Sequence, residues 1–201
     1  MIQLFSLLSK LPLWLLHALG WLLGWLSFLL SPSYRRKFRE NVVQAGYRWA
    51  SVRGAVGGAG RMVGELPRLW LGAPTHCEWE NDACVERAYA ADRGVVFLTP
   101  HLGCFEISAQ GLASRYAGRY GPLTVLYRPA RQPWLAKLMQ AARHRPGLKT
   151  APTSLAGVRQ MIRSLRNGHA VGLLPDQVPP DGMGTWAPFF GRDAYTMTLS
   201  A

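Results

Sequence analysis

Short apolar strands alternate with helical segments between residues 94 and 174, and this alternation constrains the possible folds more than any other feature of the chain. Runs rich in β-branched, aromatic and aliphatic residues predict strands at residues 95–99, 123–127 and 170–174. Helices are predicted over residues 102–115 and 132–144, and in a segment that Ser154 caps and Gly168 ends. The alternation predicts an α/β fold with a central mixed or mostly parallel sheet flanked by helices.

A polar residue stands just past the end of each predicted strand. These residues are His101, Arg128 and Asp176. In open α/β sheets, ligands bind outside the carboxyl ends of the strands, so the three side chains are expected to share one site. The alternatives are an ordinary surface arginine for Arg128 and an ordinary turn aspartate, after Pro175, for Asp176.

The first strand leads through Pro100 into a polar pair, His101 and Glu106, within an otherwise apolar segment. Residues five apart point about 140° apart on a regular helix, so the two side chains can meet only if His101 precedes the helix and folds back over its first turn. An imidazole titrates near pH ~6.5, and a carboxylate on its second nitrogen fixes its tautomer, which suits proton abstraction from a hydroxyl. The spacing therefore indicates His101 as general base and Glu106 as its orienting carboxylate. The alternative is a turn histidine near a solvated glutamate.

An uncharged run covers residues 11–30 near the N-terminus. As a helix it would be about 30 Å long, which matches the hydrocarbon core of a bilayer, and no small-x-small cleavage site follows it. We interpret it as a retained membrane anchor. Trp14, Trp21 and Trp25 fall in one sector of this helix, which leaves open an ordinary span, an oblique helix, or a helix docked on the following domain. Basic residues crowd just after the run and only Lys10 precedes it, so the positive-inside rule places the body of the protein in the cytoplasm.

The segment after this run is strongly basic. Between Tyr34 and Trp70 the acidic residues are Glu40 and Glu65. The basic residues there are Arg35, Arg36, Lys37, Arg39, Arg48, Arg53, Arg61 and Arg68. Beside a membrane anchor this charge predicts a surface for anionic lipid headgroups, the alternative being a solvated helix face. The net charge of +12 also raises the possibility of nucleic-acid binding, but 49% hydrophobic residues and eight tryptophans argue against it, and no nucleic-acid partner is expected.

Neither the glycines nor the cysteines indicate a metal or a bound cofactor. The glycines of residues 54–64 do not form the Gly-x-Gly-x-x-Gly of a dinucleotide loop. Close helix packing is their expected use, at the pairs Gly54/Gly58 and Gly60/Gly64. The chain has three cysteines without Cys-x2-Cys spacing: Cys77, Cys84 and Cys104. Cys104, next to the predicted base, is expected to be a small packed residue, with a thioester-forming nucleophile as the alternative.

Several blocks of the sequence are similar in content and order to one known family. They are the segment from His101 to Glu106, residues 126–129 (LYRP), 157–168 (GVRQMIRSLRNG), 172–177 (GLLPDQ) and 188–191 (PFFG), followed by Ala194 and Thr196. Together they resemble the lipid A biosynthesis (late lauroyl/myristoyl) acyltransferases, within the wider group that shares a His-x4-Asp/Glu motif. The blocks cover most of residues 94–201, whereas the resemblance before residue 94 is limited to an apolar N-terminus and a basic helix.

The resemblance implies an O-acyltransferase that moves a fatty acyl chain from a thioester of acyl carrier protein or CoA to a hydroxyl of a lipid A precursor. His101 and Glu106 would be catalytic. Arg128 is expected to bind a phosphate of the substrate, and Asp176 to orient Arg128 or the acceptor sugar. Gln177 is a further expected substrate contact. Phe189 and Phe190 are expected to line an acyl groove, with packing in the core as the alternative. Alternatives are another glycolipid or lysophospholipid acceptor, or a non-catalytic protein that binds anionic lipids.

The residue patterns and the resemblance together predict an organisation and a location. We expect a membrane anchor (1–31), a basic membrane-proximal helical region (32–93) and an acyltransferase core (94–201). The core would lie on the cytoplasmic face of the bacterial inner membrane, where an acidic acyl carrier protein could meet the basic surface. Members of the family continue beyond the last block, so a C-terminal part is expected to be missing.

Overall fold

The fold is that of a computed structural model, which describes residues 2–127, 130, 132–143 and 145–199. The chain forms two compact units, one mainly Leu69–Asp176 and the other mainly Leu4–Arg68 with Gln177–Leu199. In chain order the elements are α1 (Ile2–Leu8), α2 (Leu13–Leu30), α3 (Pro32–Gln44), α4 (Trp49–Val52), α5 (Gly54–Leu71), α6 (Ala83–Ala90), β1 (Val95–Leu98), α7 (Phe105–Tyr120), β2 (Leu123–Tyr127), α8 (Pro133–Arg143), β3 (Leu148–Pro152), α9 (Leu155–Arg166), β4 (Ala170–Leu173), β5 (Gly184–Phe189) and β6 (Arg192–Met197).

The first unit contains a parallel four-stranded sheet in the order β1-β4-β2-β3. This confirms the predicted α/β fold, and β2 has the predicted bounds. The edge strand β3 was not predicted, because its sequence, LKTAP, has no run of β-branched or aromatic residues and buries only Ala151 fully. The position of β3 at the edge of the sheet explains why it lacks such a run, since an edge strand needs little apolar surface.

The sheet core combines apolar packing with one polar contact. Every residue of β4 is buried, as expected of a strand covered on both faces. Thr124 on β2 and Ser164 on α9 share a hydrogen bond of 2.9 Å in this interior, which satisfies both hydroxyls. The predicted ends of α9 are confirmed, because the Ser154 side chain accepts from the Gly157 N–H and Gly168 follows the helix with a φ of +74°.

An aromatic cluster joins α6 to α7. The rings of Tyr89 and Tyr120 stack with centroids 4.4 Å apart, and Tyr116 packs beside them. Burial, together with the neighbouring phenols of Tyr116 and Tyr120, raises the pKa of Tyr89 to about 12. The prediction of a helical region over residues 32–93 did not single out α6, which is held in place by these contacts rather than by a strong helical pattern.

In the second unit α2 and α5 pack as an antiparallel pair with almost no side-chain volume between them. A Cβ on Gly20 would lie 2.5 Å from the Gly60 carbonyl oxygen, and one on Gly24 would lie 2.6 Å from that of Val56. Gly64 approaches the backbone of Leu16 in the same way. The packing predicted for Gly60/Gly64 is therefore confirmed. The prediction for Gly54/Gly58 was wrong, because those two glycines face open space.

The second unit also contains the antiparallel hairpin β5–β6. Its turn is formed by Phe190 and Gly191, with φ angles of +48° and +73°, the geometry of a two-residue hairpin turn. The side chains of Phe189 and Phe190 are 61% and 62% exposed there, and their rings contact one another. The Gln44 side chain of α3 donates to the Phe189 carbonyl at 3.4 Å, which ties the turn to the helical part of this unit.

Candidate active site

Strand register brings His101 and Asp176 together. Strands β1 and β4 pair in parallel with Leu98 opposite Leu173, and the Thr99 N–H extends the ladder by donating to the Leu173 carbonyl at 3.1 Å. His101 lies three residues after Leu98, and Asp176 lies three residues after Leu173. Because the two offsets are equal, the loops that leave the two strands carry their polar side chains to the same place.

Asp176 makes two hydrogen bonds with His101. Its Oδ2 accepts from the His101 backbone N–H at 2.7 Å, and its Oδ1 lies 2.7 Å from the ring Nδ1. The ring of Phe105, at the start of α7, meets the imidazole edge to face with centroids 4.6 Å apart. These contacts fix both the position and the orientation of the imidazole at the carboxyl edge of the sheet.

The electrostatics of the pair define which nitrogen of the imidazole is basic. Partial burial raises the pKa of Asp176, but the hydrogen bonds from the His101 ring and backbone outweigh it, so the pKa lies below the ordinary value of 3.8. Asp176 is therefore an ionised acceptor at neutral pH, and Nδ1 of the imidazole must carry the proton that it accepts. The lone pair of that tautomer is on Nε2, which is the basic position of the ring.

Glu106 lies in the first turn of α7, where a negative charge is favoured by the helix dipole. Its Oε2 accepts from the indole N–H of Trp70 at 3.3 Å. Trp70 is buried, and Arg145 donates to its carbonyl and to those of Leu69 and Gly72. The buried Trp70 indole therefore holds the Glu106 carboxylate in place.

The sequence reasoning missed the direct contact between His101 and Asp176. The five-residue spacing made Glu106 the expected partner of His101. Asp176 was expected instead to orient Arg128 or the acceptor sugar. The signal was present in the predicted strands, since the two residues follow their strands at the same offset. It becomes decisive only once β1 and β4 are known to be neighbours in register.

The other predicted site residues have different placements. Arg128 lies outside the described residues. Gln177 directly follows Asp176 and belongs to the second unit, as do the exposed Phe189 and Phe190. Cys104 is half-buried at the N-cap position of α7. Among the described residues, no group of three His, Cys, Asp or Glu side chains is arranged to hold a metal ion.

An imidazole with a fixed Nδ1–H and a carboxylate behind it is an arrangement that removes a proton from a hydroxyl. Comparison with known proteins identifies the family of the chain. A family model described as bacterial lipid A biosynthesis acyltransferase matches residues 4–201. No curated protein matches the chain.

Proposed function

The chain belongs to the bacterial lipid A biosynthesis acyltransferase family, and from this premise we propose that it moves a fatty acyl chain from an acyl thioester to a hydroxyl of a lipid A precursor. The observation that carries the proposal is the contact between His101 and Asp176, which prepares an imidazole to act as a base. The donor thioester is that of acyl carrier protein or CoA.

His101 takes the part of the general base. Its Nε2 removes the proton from the acceptor hydroxyl as the oxygen attacks the thioester carbonyl, and a tetrahedral oxyanion forms. Collapse of that intermediate breaks the carbon–sulfur bond and forms the ester. The departing thiolate takes the proton from the imidazolium, which returns His101 to its starting state.

Asp176 takes the orienting part in this scheme. It holds the Nδ1–H tautomer before the reaction and stabilises the imidazolium that forms during it. The five-residue spacing predicted Glu106 as the orienting carboxylate. We retain Glu106 as a second carboxylate of the site because Trp70 holds it in the first turn of α7. Arg128, Gln177, Phe189 and Phe190 remain predicted substrate contacts.

The family is associated with bacterial membranes, and α2 is, among the described residues, the helix long and apolar enough to enter one. We propose that the protein works at the cytoplasmic face of the inner membrane. Anionic lipids would meet the basic residues of α3 and α5, and an acidic acyl carrier protein would be steered by the net charge of +12.

The test is acyl transfer from a radiolabelled acyl thioester to a lipid A precursor in detergent, with the native chain and His101→Ala. The variant should lose on the order of 10² to 10⁴ in rate, as expected when a general base is removed. His76→Ala is the matched control, because it removes an exposed imidazole that is not one of the candidate site residues. Unchanged turnover by His101→Ala would refute the assignment. Transfer to other glycolipids or lysophospholipids in preference to lipid A precursors would change the acceptor but keep the chemistry.

A further inference from the structure

The apolar helix α2 does not stand alone. It is 18 residues long, about 27 Å, and has a mean hydropathy of 1.7, so it could cross a bilayer by length and composition. Its buried residues, however, recur at every fourth position and form one stripe along the helix: Leu16, Gly20, Gly24 and Phe28. Most of this stripe is covered by α5, and contact continues from Gly24 and Val56 to Leu16 and Gly64.

Helix α5, which packs beside α2, carries its charged residues from the middle of the pair to the end beside the start of α2. The Cα of Arg61 would lie 3.0 Å from a Cβ on Gly20, which is near the middle of α2, and Arg61 itself is exposed. One turn further along α5, Glu65 Oε1 lies 2.6 Å from His17 Nε2. Arg68 then donates to the Leu11 carbonyl at 3.0 Å.

These contacts decide against a crossing helix. If α2 crossed the bilayer, the antiparallel register would hold Arg61 close to the midplane on a lipid-facing position. An arginine at the centre of a membrane helix costs about 2.5–3.5 kcal/mol on insertion scales, and Glu65 would add a second charge within the hydrocarbon. Separating the two helices would instead break the backbone contacts at Gly20, Gly24 and Gly64.

We propose that α2 lies in the plane of the membrane and enters one leaflet only. The exposed apolar face of α2 would contact the acyl chains of the lipids. This face consists of Trp14, Leu19, Leu22, Leu23, Leu26, Leu29 and Leu30. On the other side of the pair, Arg61 and the His17–Glu65 contact stay at headgroup level. The amphipathic unit is the pair, since α2 supplies the apolar face and α5 the charged one.

The inference goes beyond the proposed function and does not depend on the reaction. It rests on the geometry of α2 and α5, with lipid as the partner that covers the exposed face. Its topological consequence is definite, because both ends of α2 must lie on the same side of the membrane. A crossing helix would place Lys10 and Ser33 on opposite sides.

The test compares Lys10→Cys with Ser33→Cys, two exposed positions just beyond the ends of α2. Each variant is expressed in a Gram-negative host and treated with a membrane-impermeant maleimide, in spheroplasts and in inverted inner-membrane vesicles, and labelling of the new cysteine is read by peptide mass. Both positions should label in the same preparation and resist in the other. Labelling from opposite sides would overturn the proposal. Lys10→Cys removes a positive charge that would help to keep the N-terminus in the cytoplasm, so the substitution favours a crossing helix. Labelling of both positions from the same side would therefore be stronger support for the proposal.

A second measurement asks what covers the apolar face. In a chain whose three native cysteines are replaced by Ser, Leu22→Cys, at a position 58% exposed, is labelled with an environment-sensitive fluorophore in vesicles that contain brominated lipids. Strong quenching is expected if the face is in lipid. A label that escapes quenching, together with disulfide crosslinking of unlabelled Leu22→Cys to the same position of a second copy under oxidising conditions, would overturn the proposal in favour of a dimer. Acyl transfer by these variants is measured separately, so a failed topology and a failed function are distinguishable.

Discussion

Nδ1 of His101 and Oδ1 of Asp176 lie 2.7 Å apart although 75 positions separate the two residues in the chain. Nothing local to either residue creates this contact. It arises because β1 and β4 pair in parallel with Leu98 opposite Leu173, and each side chain follows its strand at the same distance. The Asp176 carboxylate also accepts from the His101 backbone N–H, which fixes the loop as well as the ring.

Replacing Asp176 by Asn should cost more activity than replacing Glu106 by Gln. An amide can present either a donor or an acceptor to Nδ1, so Asp176→Asn loses the preference for the productive tautomer and should lower kcat on the order of 10² to 10⁴. Glu106→Gln keeps an oxygen for the Trp70 indole and should lose less. Steady-state kinetics with both variants checks this order. A greater loss in Glu106→Gln would return the orienting part to Glu106.

The free energy of unfolding should fall in acid partly because of Asp176. Its pKa is lower in the folded chain than the ordinary value of 3.8, since the hydrogen bonds from His101 outweigh the effect of burial. The stabilisation is therefore complete above about pH 4 and is lost as the pH falls through the folded-state pKa. Urea unfolding in detergent at a series of acidic pH values should show a shallower decline for Asp176→Asn. Asp181→Asn, in an exposed loop, is the control, and an equal change there would disprove the attribution.

Two glycines of α5 should respond in opposite directions to the same substitution. A Cβ on Gly60 would collide with the Gly20 carbonyl oxygen, so Gly60→Ala should lower the free energy of unfolding by about 1–3 kcal/mol. A Cβ on Gly58 meets open space, so Gly58→Ala should raise it by about 0.5–1 kcal/mol through helix propensity. Chemical denaturation of the two variants measures the difference. Equal effects would mean that the helices are not packed as described.

The buried hydroxyl pair of the sheet core should behave as a coupled unit. Thr124 is fully buried, and Ser164 is 8% exposed. Thr124→Val leaves the Ser164 hydroxyl without its partner and should cost about 1–3 kcal/mol of stability. Ser164→Ala in the same chain should recover part of that loss, because both polar groups are then gone. A double-mutant cycle with strictly additive effects would contradict the pairing.

Elements with a strong local signal were predictable from the sequence, and relations between distant elements were not. The apolar run 123–127 and the Ser154 cap gave β2 and the start of α9 directly. The edge strand β3 carries Lys149 and Thr150, so its identity depends on pairing with β2 rather than on composition. Likewise, the sequence offered four glycines for helix packing, but only the three-dimensional register separates Gly60 and Gly64, which face α2, from the other two.

The same limit applies to the candidate site. His101, Glu106 and Asp176 were all predicted from their types and positions, but the contact of His101 with Asp176 was not, because the spacing paired His101 with Glu106. A five-residue spacing is visible in a sequence, whereas a contact across two strands requires the strand order. The order β1-β4-β2-β3 places the last predicted strand beside the first, and that crossover is what makes Asp176 the partner of His101.

The equal offsets of His101 and Asp176 also tie the chemistry to the folding of the sheet. A slip of one residue between β1 and β4 would shift one loop by about 3.3 Å and turn its side chains to the opposite face. The hydrogen bond between the two residues could not survive such a slip. The base is therefore assembled only in correctly registered molecules, so a misregistered chain, however compact, would be inert rather than partly active.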